Sequence, residues 1–297
     1  MRLLLTGAAG FIGRHLLEAA RSAEILAIDS SPPRHETGAR VRWLVAELDD
    51  AGSWLRQAAD FMPDAAVHLA WRGIPDYGSR ASRDNLLAAT RFFDRVLSIT
   101  SCRRIVAAGS CLEYGSVQGA CRESDTPGPD ASFLGWAKRA ACQYLALSCK
   151  AAGVSWLWLR LFYVYGPGQR GGALIPSLIA AFAAGRPPDI RQPENRNDFV
   201  HVRDAAEALW RAASGTAPAG IYNVGSGSAT SVRDVARMVE RAATGSTRLS
   251  DALPQAGGAD FWADMTAMRN AFGWVPGSDL DAGIREMVRT NTTGGTC

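Results

Sequence analysis

A run of ~20 apolar residues, the length a membrane-spanning helix needs, occurs nowhere in the sequence, so no such span is expected. The opening Met1-Arg2-Leu3-Leu4-Leu5 imitates the start of a secretion signal. Its apolar run breaks at Thr6-Gly7 with no cleavage site after it, so it reads as a β-strand. A marked excess of one charge is also missing. The 32 Lys and Arg stand against 29 Asp and Glu, and no basic run interleaves with aromatics, which leaves no nucleic-acid footprint. The six cysteines, at 102, 111, 121, 142, 149 and 297, form no CxxC pair with metal or redox spacing. Reduced thiols in a cytoplasmic protein without a metal site are the expectation. Internal repeats and low-complexity blocks are absent as well, and the expected partner is a small molecule.

What is present is a core-forming chain of 297 residues in which short apolar runs alternate with helical patterns. Leu3–Leu5, Ile25–Ile28, Val41–Val45, Ala65–Leu69, Arg104–Ala108 and Ser155–Leu161 read as buried strands. Phe11–Ser22, Ala51–Ala59, Ser82–Ser101 and Gly135–Ala152 read as the crossover helices between them. The expected fold class is α/β: a Rossmann-like, doubly wound parallel sheet with a smaller C-terminal α/β substrate-binding region. Residues 1–165 form the first domain, rejoined by about 197–225. Residues 166–196 and 226–290 form the smaller region, and 291–297 read as a disordered tail. Within the second half, Leu174–Ala184, Asp204–Ala213 and Val232–Thr244 read as helices, Asp198–Val202 and Gly220–Val224 as short strands, and Asp251 to Asp260 as a loop.

The segment Thr6-Gly7-Ala8-Ala9-Gly10-Phe11-Ile12-Gly13 joins the first strand to the first helix. Gly7 turns the chain, Gly10 lets backbone approach a pyrophosphate, and Gly13 lets helix and strand pack closely. The amides that open the helix, around Phe11 and Ile12, then face the phosphates. Asp29 ends the second strand, where a carboxylate accepts the adenosine ribose hydroxyls and repels a 2′-phosphate, so NAD is preferred over NADP. Arg34, close in sequence, works against that preference.

With this motif, Asp29, Val67-His68-Leu69-Ala70, Ser110 through Gly115, Lys138 and Tyr165-Gly166-Pro167 in hand, the chain resembles the extended short-chain dehydrogenase/reductases. More narrowly it resembles the NAD-dependent epimerase/dehydratase group that modifies nucleotide sugars. Asp198-Phe199-Val200-His201-Val202, Tyr222-Asn223-Val224-Gly225 and Ala263-Asp264 continue the likeness to about residue 288. The resemblance implies that Glu47 and Leu48 contact adenine, and that Leu69 and Ala70 edge the nicotinamide ribose pocket. Asn85 matches a family asparagine in the helix read at Ser82–Ser101. Ser110 matches the hydroxyl that holds the reacting sugar oxygen, and Lys138 the lysine that binds the nicotinamide ribose. It also implies a homodimer built through two long helices, here Ser82–Ser101 and Gly135–Ala152.

The family's acid/base tyrosine stands four residues before the lysine, and here that position is Leu134. A leucine transfers no proton, so Tyr163, Tyr165, Tyr114 and Tyr77 are weighed as substitutes, with Tyr163 placed beside the substrate and catalysis. Cys111-Leu112 stands where related 4,6-dehydratases carry Asp-Glu, which disfavours dehydration. For the substrate diphosphate, Arg170 and Arg196 are the chosen cations, with Arg191 a further candidate. His68 and His201 read as core histidines. The expected function is an NAD-dependent nucleotide-sugar epimerase or 4-keto-sugar reductase. The alternative is a non-catalytic protein that binds NAD or a nucleotide sugar, as scaffold, regulatory subunit or redox sensor.

Overall fold

The computed structural model describes residues 1–33, 38–129 and 132–293. The first half runs β1 (Arg2–Thr6), α1 (Phe11–Ala19), β2 (Glu24–Asp29), β3 (Val41–Val45), α2 (Ala51–Phe61), β4 (Ala65–His68), α3 (Ser79–Leu97) and β5 (Arg104–Ser110). A 3-10 turn (Cys111–Tyr114), β6 (Gly119–Cys121), α4 (Phe133–Ala152), β7 (Ser155–Leu161) and β8 (Tyr163–Tyr165) follow. The second half comprises α5 (Leu174–Ala183), β9 (Arg196–Asn197), β10 (Phe199–His201), α6 (Val202–Ser214), β11 (Gly220–Val224) and β12 (Thr230–Ser231). It ends with α7 (Val232–Thr244), α8 (Arg248–Asp251), β13 (Asp260–Ala263), α9 (Thr266–Phe272) and α10 (Leu280–Thr293).

Seven strands build the main sheet in the order β11-β7-β5-β4-β1-β2-β3, and every neighbouring pair is parallel. Successive side chains of a strand point to opposite faces, so an apolar run such as Leu3-Leu4-Leu5 needs cover on both sides. Leu3 and Leu5 enter a core shared with Leu16 of α1 and Leu209 of α6. Leu4 enters the opposite core, with Trp54 of α2, Phe92 and Phe93 of α3 and Leu145 of α4. The chain order reverses between β1 and β4, and open sheets of this kind bind ligands outside the strand ends at such a point.

A third core gathers Tyr165, Ile179 and Phe182 with Val235 of α7 and Ile284 of α10. Beside it, β12-β9-β13-β6 form a small mixed sheet. The expected strand Asp198–Val202 shortens to β10 (Phe199–His201), set apart from β9 by Asp198. Asp198 stands outside both strands with its buried carboxylate accepting the amides of Ser226, Gly227 and Ala263, and α6 begins at Val202 with His201 as its cap. Helix α10 runs to Thr293, into the segment read from sequence as a tail, while positions 294–297 lie outside the described residues. Among the described residues no helix is long and apolar enough to cross a membrane, and no His, Cys, Asp or Glu group could hold a metal ion. Cys102, Cys111, Cys121, Cys142 and Cys149 are free and buried, while Cys297 lies outside the described residues.

Candidate active site

The glycine turn is shaped by what passes beneath it. Gly7 has φ +73°, and a Cβ there would lie 2.7 Å from the Ala70 amide nitrogen at the end of β4. At Gly13 a Cβ would lie 2.1 Å from the Gly7 carbonyl oxygen. Both positions therefore exclude a side chain, as close packing of strand, turn and helix demands. No side chain caps α1 at Gly10, which leaves its first amides free for an anion.

Asp29 braces this turn: its carboxylate accepts the Ala9 amide at 2.9 Å and the Ser31 amide at 3.0 Å. A carboxylate has about four acceptor sites, so ribose hydroxyls can still be bound. Around it a crevice of 330 Å³ is lined by Gly7, Gly10, Asp29, Glu47, Leu48, Leu69, Ala70 and Asn85, all expected from the sequence. Asn85 does more than line it. The side-chain amide accepts the Arg72 N–H at 2.6 Å and donates to the Arg72 carbonyl at 2.9 Å, which fixes the chain leaving β4. Arg72 itself, not anticipated, pairs with Glu47 across the crevice. Arg34 lies outside the described residues.

A second cavity, of 850 Å³, shares Gly7, Gly10, Leu69 and Trp71 with the first and continues past Phe11, Ile12, Gly13 and Ala108 to Tyr77, Tyr163 and Arg170. Arg14 and His15, on α1 just past Gly13, hold its far wall by contacting the Gly168 and Pro167 carbonyls. Arg170 thus faces the cavity. Arg196 is exposed and donates to the Ala229 carbonyl at 2.8 Å; it does not line the cavity, although its neighbour Asn197 does.

Ser110 ends β5, and its hydroxyl accepts the Leu112 amide at 3.2 Å as the cap of the 3-10 turn. Reciprocally, buried Glu113 accepts the Ser110 amide at 2.8 Å, and it also binds Trp158 and Arg160. Glu113 was not foreseen, although Ser110-x-x-Glu113 is a capping-box spacing. Cys111 is buried in the core, where burial pushes its thiol up, so it supplies no proton acceptor at neutral pH.

Lys138 of α4 donates from Nζ to the Ala108 carbonyl at 2.7 Å and lies 3.8 Å from the centre of the Trp71 ring. Burial pushes its amine down to about 7 despite Glu113 nearby. Leu134, one turn earlier, is buried. Tyr163 is 39% exposed between Phe199 and Phe261, and desolvation with Cys111 and Tyr77 close by pushes its phenol above the ordinary value. Tyr114 instead donates to Asn223 at 2.7 Å in the interior. His68 is buried against Phe92 and His201 caps α6, so both serve structure.

A sequence model described as the NAD dependent epimerase/dehydratase family matches residues 3–225. The chain belongs to that family. As a member of this NAD-dependent epimerase/dehydratase family it is similar along almost its whole length to known relatives. It is 29% identical to the dTDP-6-deoxy-L-talose 4-dehydrogenase (NAD(P)(+)) of Kitasatospora kifunensis, over 98% of this chain and 96% of that one. It is 27% identical to the dTDP-L-rhamnose 4-epimerase of Burkholderia thailandensis, over 96% and 93%. The solved structure of MoeE5 in complex with UDP-glucuronic acid and NAD aligns with a TM-score of 0.84 and 29% identity, covering 99% of each chain. The family's cofactor is NAD, and the side-chain-free cradle at Gly7 and Gly13 with the uncapped start of α1 fits a dinucleotide diphosphate.

Proposed function

We propose that this family member is an NAD-dependent epimerase or 4-keto-sugar reductase acting on a nucleotide sugar, with the epimerase as the preferred reading. One observation carries it: the crevice at Asp29 and the larger cavity join at Gly7, Gly10, Leu69 and Trp71, a single slot over the ends of β1, β4 and β5. NAD bound there supplies reversible hydride acceptance at a sugar carbon. The α1 amides at Phe11 and Ile12 grip its diphosphate, Asp29 its adenosine ribose, Glu47 and Leu48 its adenine. Leu69, Ala70 and Lys138 surround the nicotinamide ribose.

In this reading the Ser110 hydroxyl donates to the sugar oxygen while Tyr163 holds the proton that Leu134 cannot. Arg170 takes the substrate diphosphate, with Arg196 the further cation. The absence of carboxylates at Cys111-Leu112 argues against dehydration. The proposal extends to a cytoplasmic homodimer paired through α3 and α4, where Leu87 and Leu147 stand exposed.

The test is incubation with NAD or NADH and a panel of UDP-, dTDP-, GDP- and CDP-sugars followed by proton NMR. Inversion at a sugar carbon without net NADH marks an epimerase, and NADH consumption with a 4-keto-6-deoxy sugar marks a reductase. Sugar-nucleotide binding with no turnover of any kind overturns the enzymatic reading in favour of a binding protein.

A further inference from the structure

Lys138 is held by very unequal neighbours. Its Nζ has the Ala108 carbonyl at 2.7 Å on one side and the Trp71 indole face, centred 3.8 Å away, on the other. On its own helix the residues one turn away are Leu134 behind it and Cys142 ahead, both buried, and burial pushes the Cys142 thiol up so that it stays neutral. The charged or titratable groups facing it from other elements are Glu113, in the turn after β5, and His68 on β4, which burial holds neutral with a pKa of about 3. An ammonium desolvated to this degree gains from an aromatic face, because the ring's negative quadrupole replaces part of the lost hydration. Trp71 is also placed where the two cavities meet, directly after Leu69 and Ala70.

We propose that Trp71 is the positioning residue of Lys138, its indole face standing in for the missing phenol as the group that holds the ammonium beside the dinucleotide ribose. The ribose half of this statement rests on the function proposed above. The contact between ring and ammonium does not, and can be read in the protein without ligand. No side chain other than an aromatic one supplies the same combination of flat bulk and attraction for a cation, so phenylalanine should serve where leucine fails.

Lys138 and Lys150 are the only lysines in the sequence, and Lys150 is exposed, so protein labelled with ¹³C at lysine Cε yields one reporter and one internal reference. The ε-protons of Lys138 are expected upfield of those of Lys150 by the Trp71 ring current. Trp71→Phe should keep both that displacement and the titration midpoint. Trp71→Leu, apolar but without a π-face, should lower the midpoint by on the order of 0.5–1 pH unit, since the protonated form loses its partner. It should also weaken NAD binding about 3–10-fold in calorimetry, a loss of the size expected for one cation–π contact. A Lys138 signal without ring-current displacement overturns the proposal in the wild-type protein alone, even if the leucine variant does not fold. So does a folded Trp71→Leu that matches the wild type in midpoint and NAD affinity. A displaced Lys138 signal in a protein that binds no NAD would count against the function proposed above while leaving the Trp71 contact in place.

Discussion

Glu113 accepts Arg160 Nε at 2.9 Å with both side chains almost fully removed from water. The same carboxylate binds the Ser110 amide and Trp158 Nε1, so one acidic group ties the end of β5 to β7 beneath the proposed sugar site. Removing one member of a buried pair strands the other. Glu113→Ala should therefore destabilise the protein by about 3–5 kcal/mol, read as a lower urea midpoint. A loss below about 1 kcal/mol, the range of exposed pairs, would mean that the network is not a structural anchor.

Gly7 lines the dinucleotide crevice at a positive φ with the Ala70 backbone packed against it. Gly7→Ala forces a methyl against Ala70 and into a positive φ, a strain on the order of 1–3 kcal/mol. NAD affinity should fall about 10–100-fold with far-UV circular dichroism unchanged. Retained affinity would show that the diphosphate does not rest on this turn.

Leu134→Tyr restores a phenol one helical turn from Lys138, and Tyr163→Phe removes the substitute donor. General acid-base help is worth ~10²–10⁴-fold, so Tyr163→Phe should lower kcat by about that range and Leu134→Tyr should raise it. A Tyr163→Phe enzyme with wild-type kcat would remove that phenol from the mechanism. Loss of turnover in Leu134→Tyr would mean that another donor works in the space Leu134 leaves.

How far these residues could be read in advance follows from the range of the forces involved. Gly7, Gly10, Gly13 and Asp29 announce themselves because turn geometry and strand ends are local in sequence, and β1, β2, β4, β5 and β7 because burial inside the sheet writes apolar runs, whereas β3, also read as buried, is an edge strand and has no fully buried residue. The small sheet was opaque: Gly119 of β6 pairs with Phe261 of β13, far along the chain, and no local pattern records it. Trp71 and Arg72 escaped for a similar reason. Their partners, Lys138 and Glu47, are brought to them by the sheet and not by spacing. Asn85 was legible as a position, while its grip on the Arg72 backbone emerged only from the packing of α3.

His68 makes the fold acid-sensitive. It is hydrogen-bonded to Thr6 Oγ1 at 2.8 Å and stacked on Phe92, and burial lowers its pKa from 6.5 to about 3. Between those values the unfolded chain binds a proton that the folded chain refuses. Stability is therefore full above about pH 6.5 and declines as pH falls toward 3, and His15 and His201, also pushed down by burial, act in the same direction. Urea midpoints should drop between about pH 7 and about pH 5, and His68→Asn should flatten that slope even if it lowers the plateau. An unchanged slope would place the acid sensitivity in other groups.

The central claim is that the turn after β1 and the carboxylate of Asp29 together hold a dinucleotide. Isothermal calorimetry of the purified protein with NAD⁺ and NADH tests it most directly. Saturable binding is predicted, weakened roughly 10–100-fold in Asp29→Ala, as expected for lost hydrogen bonds to a charged group. A folded wild-type protein that gives no binding heat with either form, and retains no dinucleotide after purification, would contradict it.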